Sequence, residues 1–400
     1  NYNALTGYGL NPYDPRRDPR ETTNDGRPAL STGGSSSGIG TAASFWASNV
    51  GTDTGGSIIS PSNANMLVGI RPTIARVSRW GIAPVTLDHD MAGPMARTVT
   101  DAAIMLGVME GTEPDSNDLA TQTCESPPNG DYTPFLDADG LRGARIGIPR
   151  AFYYEAVNIG GRQVGGLTDE QAALMEEAVS VLEEQGAIII DPAEIPSFVD
   201  PDPERNFNAW ELCIGGHQGK GADAHCSVNF KYGMKRDFNA WLETLGSSAP
   251  VRTLTELREW NLEHRDAGAM KYEQSRYDIS DEMDVEADFT RNEADMAKDA
   301  LLSRTRGIDA VLEEYQLDAI FTPGSRGAGL AARAQYPHIV VPFGFVENLP
   351  NPPFPDDFNA KAAPFGIGFT GTACSEPRLI ELAYAFEQAS RRRVPPPDLP

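Results

Sequence analysis

The sequence predicts an α/β fold with parallel strands, and one strand–helix–strand unit carries most of that prediction. Residues 144–148 form a short apolar run bounded by a proline, which is typical of a strand. Thr168 is a suitable N-cap for a long helix that Gly186 ends. Residues 187–190 are apolar and predict a buried strand. Since strands joined through a helix normally run parallel, this order favours an α/β domain.

Segments on both sides of this unit extend the prediction. Residues 98–110 carry apolar side chains at helical spacing and predict a helix. Residues 319–321, 338–341 and 366–369 have the composition of core strands, and residues 376–391 predict a final helix. The core elements therefore alternate with helices over most of the chain.

We expect a single domain over residues 1–400, with two regions outside its core. Residues 1–32 are rich in Asn, Pro, Asp, Arg and Gly and predict an irregular arm. Residues 200–300 are polar and mostly helical in pattern, with helices expected at 254–265 and 286–306. We interpret this second region as a helical insertion or cap.

Charge and composition exclude several classes of partner. Acidic residues outnumber basic ones by 57 to 33, so the formal net charge is −24. A field of that sign repels nucleic acid and anionic membranes, and we expect neither as a partner. With 40% hydrophobic and 22% charged residues the chain is ordinary for a globular protein, and no apolar run approaches the roughly 18–20 residues of a membrane span.

The cysteines do not indicate a metal site. They are Cys124, Cys213, Cys226 and Cys374, and their spacing contains no CxxC pair. Cys213 and Cys226 are close enough in sequence to close a short disulfide loop, but four cysteines in 400 residues do not require one. The redox compartment, cytoplasmic or secreted, stays open.

Two clusters of glycine and serine are the best candidates for a reactive site. They are residues 33–38, Gly-Gly-Ser-Ser-Ser-Gly, and residues 53–57, Asp-Thr-Gly-Gly-Ser. Glycine lets the backbone come close to a bound group, so such a turn can present a serine hydroxyl beside several N–H donors. That arrangement suits a nucleophile with an oxyanion hole. Each cluster alone also fits a flexible loop or a phosphate cradle, although no G-x-x-x-x-G-K-[ST] pattern is present.

A serine nucleophile needs a proton acceptor, and the residues alone leave its identity open. None of the five histidines stands at an obvious spacing from the two clusters. A second serine that relays protons to a neutral lysine would also serve. The chain has no G-x-S-x-G elbow, which disfavours an α/β-hydrolase.

An ordered series of motifs runs from residue 33 to residue 106. The first cluster is followed by Gly-Thr-Asp-Thr-Gly-Gly-Ser-Ile at 51–58, and then by matching segments at 68–73, 77–82 and 90–99. This series resembles the signature core of the amidase signature family, and the likeness extends more thinly to the C-terminus. The resemblance implies the amidase signature fold, which is a large twisted mixed β-sheet core flanked by helices on both faces.

The resemblance also implies a Ser–Ser–Lys mechanism that hydrolyses a carboxylic or peptide-type amide through an acyl-enzyme. Ser57 is then the nucleophile, and Ser35, held by a cis peptide bond, relays protons to a lysine. No metal or organic cofactor is needed, and the expected partner is a small-molecule or peptide amide, with a homodimer left open. The implied oxyanion hole consists of N–H groups of Thr54, Gly55, Gly56 and Ser57, and the implied supporting residues are Asp53 and Asp90.

Two departures from the family pattern matter. Many members carry arginine two residues after the nucleophile, where this chain has Ile59; the peptide amidase-like branch also lacks that arginine, and the resemblance leans towards it. The family's lysine lies upstream of the first cluster, whereas no lysine precedes Lys220 here. We therefore expect that the N-terminal portion of the family domain is absent from this chain, and the position of the catalytic lysine is unknown.

Three alternatives to the amidase prediction remain. A non-catalytic binding protein on the same scaffold would explain the missing lysine, but the intact serine pair disfavours it. The amidase component of a transamidase would occur in a stable heteromeric complex. An esterase-type serine hydrolase would prefer an ester to the matched amide.

Overall fold

The computed structural model describes residues 2–21, 25–34 and 38–397. The strands are β1 (Tyr2–Asn3), β2 (Gly7–Tyr8), β3 (Ser48–Asp53), β4 (Val68–Arg71), β5 (Met91–Ala96), β6 (Arg145–Gly147), β7 (Ala156–Ile159), β8 (Arg162–Gly165), β9 (Ile188–Ile190), β10 (Glu211–Leu212), β11 (Cys226–Ser227), β12 (Ala319–Pro323), β13 (His338–Val346) and β14 (Ala363–Thr370). The α-helices are α1 (Gly38–Ala42), α2 (Ile59–Ala64), α3 (Val99–Glu110), α4 (Asp169–Glu184), α5 (Pro196–Val199), α6 (Asn229–Thr244), α7 (Leu254–Glu263), α8 (Ser275–Asp281), α9 (Phe289–Ala300), α10 (Asp309–Tyr315), α11 (Ala328–Ala334) and α12 (Glu376–Ser390).

One eight-stranded mixed sheet forms the centre of the fold. Its strand order is β3-β5-β4-β13-β14-β12-β6-β9. β12, β6 and β9 run parallel to one another, and the remaining neighbours pair antiparallel. The predicted α/β class, the mixed sheet and the parallel pairing around α4 are confirmed.

Helices cover both faces of this sheet, as the alternation along β13 shows. Ile339 and Val341 belong to the main hydrophobic core, where α3, α4 and α12 pack. Val340, which lies between them, joins a second cluster with Ile58 and Ile59 at the start of α2. Successive side chains of a strand point to opposite faces, so both faces of the sheet are buried at this strand.

Two of the predicted helices begin at capped residues, and the cap at Thr168 is the one that the sequence indicated. At the start of α3 the Thr98 hydroxyl accepts a hydrogen bond from the Asp101 N–H at 3.1 Å. At the start of α4, Thr168 and Gln171 form a reciprocal capping box. Each cap satisfies N–H groups that a helix leaves without an internal partner.

Two local predictions need correction. Residues 187–190 are not a buried strand, because β9 is the last strand of the sheet and Ile188 is 48% exposed. A strand with a neighbour on one side only is covered less well than its apolar sequence suggests. The helix predicted at 286–306 begins later, at Phe289, and a π-helical segment, Leu301–Ile308, joins α9 to α10.

The region around residues 200–300 contains α6 to α9 and one of two disulfides. Cys213 and Cys226 are bonded to each other, which settles the pairing left open above. Cys124 and Cys374, 250 residues apart, form the second bond, which the sequence did not indicate. Among the described residues no helix combines the length and apolar character needed to cross a membrane.

Candidate active site

Ser57 lies in the tight turn between β3 and α2. β3 ends at Asp53, α2 begins at Ile59, and Ser57 is half-buried between them. Gly56 has φ +120°, a backbone conformation that residues with a side chain rarely adopt. The turn therefore requires glycine directly before the serine. The second Gly/Ser cluster therefore presents its serine at the junction of a strand and a helix.

The Asp53 carboxylate holds this turn from inside. It is fully buried and accepts hydrogen bonds from the Gly56 N–H at 2.6 Å and from the Ile58 N–H at 2.7 Å. These are the amides on either side of the Ser57 residue. Because a carboxylate–amide hydrogen bond is charge-assisted, the two bonds fix the local backbone firmly.

Arg71, at the end of β4, neutralises the buried Asp53. Its Nη1 lies 2.5 Å from Asp53 Oδ1, and both side chains are fully buried. The same guanidinium donates to the carbonyl oxygens of His89, at 3.3 Å, and Ala332, at 3.4 Å. Burial lowers the pKa of Arg71, and the Asp53 charge opposes that shift. The ion pair thus links the Ser57 turn to β4 and α11.

Asp90 supports the other end of the turn. Its Oδ1 accepts the Thr54 hydroxyl at 2.5 Å, and its Oδ2 accepts the N–H groups of Val85 and Thr86 at 2.7 and 2.9 Å. Burial raises the pKa of Asp90 to about 6, although these hydrogen bonds act in the opposite direction. Protonation of this group near pH 6 would change the contact that holds Thr54.

The backbone N–H groups of the turn differ in whether they already donate a hydrogen bond within the protein. The Gly56 N–H, one of the four donors that the resemblance implied, donates to Asp53. Within the described part of the chain, the N–H groups of Gly55 and Ser57 have no acceptor. A Cβ added at Gly55 would meet no atom within 4 Å, so open space lies beside that residue.

The first Gly/Ser cluster meets the second at its glycines. A Cβ added at Gly34 would lie 2.9 Å from Ser57 Oγ, and one added at Gly33 would lie 2.3 Å from Pro61. The absence of side chains at 33 and 34 therefore permits direct contact between the clusters. Ser35, the predicted relay, and its neighbours at 36 and 37 lie outside the described residues.

A cavity of about 410 Å³ opens beside Thr54 and Gly55. Part of its opposite wall belongs to the loop that the Cys213–Cys226 disulfide closes. Most of the exposed surface of this cavity is apolar, although six of its lining residues carry polar side chains. The remaining lining residues are His89, Phe207, Glu211, Leu212, Ile214, Gly215, His217, Gln218, Gly329, Ala332 and Arg333.

Two buried polar side chains in this lining were not anticipated from the sequence. The His89 Nδ1 faces the Ala332 carbonyl oxygen at 3.2 Å, which can only accept, so this nitrogen carries the proton. Arg333 lies 3.6 Å from Asp299, and burial lowers its pKa while Asp299 opposes the shift. Little in the sequence indicated that these two residues line the cavity, since neither belongs to one of the two Gly/Ser clusters.

The contacts of the lysine side chains lead away from Ser57. Four ammonium groups bind carboxylates of the 200–300 region, and Lys271 lies over the rings of Tyr2, Tyr8 and Tyr272 near the arm. The four pairs are Lys220 with Asp288, Lys231 with Asp223, Lys235 with Asp281 and Lys298 with Glu204. These lysines are therefore engaged in other interactions.

His338 on β13 is a buried histidine outside the cavity beside Thr54 and Gly55. It shares a hydrogen bond with the Thr370 hydroxyl at 2.7 Å and has its pKa lowered to about 3 by burial. The residues described contain no group of three or more His, Cys, Asp or Glu side chains placed to hold a metal ion.

Comparison with known proteins identifies a family. The family model described as Amidase matches residues 9–380. A probable amidase of Arabidopsis thaliana is 34% identical over 371 residues, which cover 91% of this chain and 61% of that protein. A glutamyl-tRNA(Gln) amidotransferase subunit of Roseobacter denitrificans is 28% identical over 97% of this chain and 71% of its own length.

Solved structures give the same result. The native peptide amidase of Stenotrophomonas maltophilia superimposes with a TM-score of 0.75 at 31% identity, covering 99% of this chain and 70% of that one. An amidase family protein of Bacillus anthracis gives a TM-score of 0.74 at 28% identity, with 99% and 65% covered. The chain spans about three fifths of the first curated relatives that it matches, 61% and 57% of their lengths.

Proposed function

The chain belongs to the amidase family, and from this premise we propose that it hydrolyses a linear carboxylic amide with Ser57 as the nucleophile. The observation that carries the proposal is the turn at residues 54–58, whose backbone Asp53 fixes by hydrogen bonds. It holds Ser57 at a strand–helix junction, with Gly34 against its hydroxyl and a cavity beside Thr54 and Gly55.

In the proposed reaction Ser57 Oγ attacks the carbonyl carbon of the amide. Its proton passes to Ser35 and from there to a neutral lysine, which returns a proton to the departing amine or ammonia. Water then attacks the acyl-enzyme by the same relay and releases a carboxylic acid. The contact between Gly34 and Ser57 supports this role for Ser35, because Gly34 is its immediate neighbour in the chain.

The N–H groups of Gly55 and Ser57 are the proposed oxyanion donors, with Thr54 beside them. They are the turn amides that lack an acceptor in the described chain, whereas Gly56 donates to Asp53. Donors that are fixed before the reaction stabilise the negative charge that develops on the carbonyl oxygen. Asp53 and Asp90 are the proposed supporting residues, because they hold the two ends of this turn.

The proton acceptor is the part of the mechanism that these residues do not supply. The lysine ammonium groups with known contacts lie in the 200–300 region or beside the arm. We propose that the catalytic lysine belongs to the part of the family domain that this chain does not span. The incomplete coverage of both the Arabidopsis and the Stenotrophomonas relatives is consistent with that proposal.

The proposed substrate is a linear amide, such as the C-terminal amide of a peptide. The likeness to a peptide amidase over 99% of this chain supports it. The apolar character of the cavity favours a substrate with a hydrophobic group next to the scissile amide. In this proposal residues 1–400 form one amidase domain, and region 200–300 caps the cleft with its disulfide-closed loop.

A component of a transamidase complex is the second candidate. The similarity to a glutamyl-tRNA(Gln) amidotransferase subunit over 71% of its length favours it. Such a component would be purified in a stable heteromeric complex, whereas a free amidase would not require a partner. Size-exclusion chromatography of the natively expressed protein separates the two candidates.

Labelling of the natively expressed protein with a fluorophosphonate probe, followed by peptide mapping, tests the proposed function. We expect modification at Ser57 that is lost in Ser57→Ala. The matched control is Ser60→Ala, since this serine stands three residues later on α2 and has no proposed role. Labelling that persists in Ser57→Ala, or that is absent from the natively expressed wild-type protein, would overturn the proposal.

A further inference from the structure

Four arginines surround a second cavity, far in sequence from the Ser57 turn. The cavity has a volume of about 380 Å³ and is lined by Arg97, Arg391, Arg392 and Arg393 together with residues of β13 and α12. None of its lining residues belongs to the lining of the cleft beside Thr54 and Gly55. Such a concentration of positive charge is unexpected in a chain whose net charge is −24.

Most of these guanidinium groups are not neutralised within the described chain. Arg392 forms an ion pair with Glu177 at 2.9 Å, and both of those side chains are solvent-exposed. Arg391 and Arg393 donate to backbone carbonyl oxygens, those of Gln388 and Met66. Within the described ranges, Arg97, Arg391 and Arg393 have no carboxylate within 4.0 Å. A surface ion pair as exposed as the Arg392 pair is held weakly and is readily displaced.

Arg393 lines the cavity and is incompletely satisfied within the described part of the protein. It is half-buried, and its Nη2 is fully enclosed without a hydrogen-bond partner among the residues that the structure describes. Burial lowers the pKa of Arg393, and the nearby charge of Arg97 also lowers it, whereas Tyr13 and Glu387 act in the opposite direction. Two cations held close together with an unpaired donor are destabilising unless an anion compensates them.

One carboxylate, Glu387, also lines the cavity, and its negative charge would offset part of the positive charge of the arginines. Its Oε1 accepts the Val99 N–H at 2.8 Å, so it caps the start of α3. Burial raises the pKa of Glu387 to about 7. Near neutral pH this group therefore carries only part of its negative charge, and the positive charge of the arginines dominates. The N-terminus of the 12-residue helix α3 adds to that positive field.

We propose that this cavity, the arginine cavity, binds a phosphate group. Guanidinium groups match the oxygen geometry of phosphate, and three of them lack an ion-paired carboxylate in the described part of the chain. A volume of about 380 Å³ lies within the range of small-molecule sites, so both inorganic phosphate and a small phosphate monoester would fit. The site is independent of amide hydrolysis, since it shares no lining residue with the cleft.

Isothermal titration calorimetry with potassium phosphate, at constant ionic strength set by potassium chloride, tests the proposal. We expect saturable binding at one site. Arg97→Gln and Arg391→Gln should each raise Kd about tenfold, which corresponds to the loss of one charge-assisted contact. Arg142→Gln, which removes an exposed arginine from a surface pair with Asp139, should leave Kd unchanged.

Three outcomes would overturn the proposal: no saturable heat with wild-type protein, equal weakening in Arg142→Gln, or undiminished binding in Arg97→Gln and Arg391→Gln. A second titration with glucose 6-phosphate distinguishes the sources of the phosphate. Tighter binding than inorganic phosphate identifies the site as one for a phosphate monoester, and weaker binding identifies the free ion as its ligand. Circular dichroism of each variant ensures that a loss of binding is not a loss of fold.

Discussion

Replacing Asp53 by asparagine should damage stability and the reactivity of Ser57 together. Asp53 accepts three donors, namely the Gly56 N–H, the Ile58 N–H and Arg71 Nη1. An asparagine in the same place keeps one acceptor oxygen and turns an NH₂ group towards the remaining donors. The buried Arg71 charge would then lack its partner. Removing one member of a buried ion pair costs about 3–5 kcal/mol, and we expect Asp53→Asn to fall in that range.

Urea unfolding followed by circular dichroism measures this change, and the rate of fluorophosphonate labelling measures the effect on Ser57. Labelling should slow at least about tenfold, because a shift of the turn misplaces both the hydroxyl and its neighbouring donors. Asp139→Asn is the matched control, since Asp139 pairs with Arg142 on the surface with 74% of its side chain exposed. Equal unfolding midpoints for Asp53→Asn and Asp139→Asn would refute the reasoning.

The double variant Asp53→Asn with Arg71→Met separates loss of charge balance from loss of shape. If the unpaired guanidinium is the main cost, adding Arg71→Met should recover part of the stability that Asp53→Asn removes. Labelling should remain slow in the double variant, because the Gly56 and Ile58 amides still lack a carboxylate. Recovery of both properties would show that Asp53 acts only as the counter-ion of Arg71.

Three further predictions follow from single contacts. The pKa of Asp90 is raised from 3.8 to about 6, so between about pH 4 and 6 the native state keeps a proton that the unfolded state has lost. The free energy of unfolding should therefore fall by about 3 kcal/mol as pH rises through that window. Urea unfolding at each pH measures this slope, which should disappear in Asp90→Asn. Gly34→Ala should abolish labelling, because its Cβ would lie 2.9 Å from Ser57 Oγ, the proposed nucleophile. Gly55→Ala should be tolerated, since its Cβ meets nothing within 4 Å, and comparable labelling of both variants would contradict the proposed packing. Replacing Cys213 and Cys226 by serine removes a bond between residues with a sequence separation of 13, so the free energy of unfolding should fall by about 3 kcal/mol. Thermal unfolding measures the change, and an unchanged Tm would contradict a stabilising role for this disulfide.

Local patterns in the sequence predicted the elements whose formation depends on nearby residues. The apolar spacing of residues 98–110 predicted α3, and the cap at Thr168 marked the start of α4, because both patterns involve residues three or four positions apart. The parallel pairing of β6 with β9 followed from the strand–helix–strand order. The burial of β9 was predicted wrongly, because whether a strand lies at the edge of a sheet depends on the order of all its strands.

The contacts that define the candidate site are mostly long-range, which explains why they were missed. Arg71 stood inside a matched motif, but nothing in its spacing showed that it pairs with Asp53 across the intervening strand β5. An arginine directly after the apolar residues 68–70 was the available signal. The Cys124–Cys374 bond joins residues 250 positions apart, and the sequence contains no feature that would select this pairing.

The structure gives a physical reason for an aspartate at the first position of Asp-Thr-Gly-Gly-Ser. If every N–H of this turn were satisfied within the protein, none would be left to bind an oxyanion; if none were satisfied, the turn would not be fixed before the substrate arrives. Asp53 divides the donors, because it takes the amides of Gly56 and Ile58 and leaves those of Gly55 and Ser57. Only a carboxylate accepts on both oxygens, so asparagine cannot serve three donors. A buried carboxylate in turn requires a buried cation, and Arg71 meets that requirement at the cost of desolvating both charges. The ion pair is therefore better explained by the position of Ser57 than by the stability of the fold.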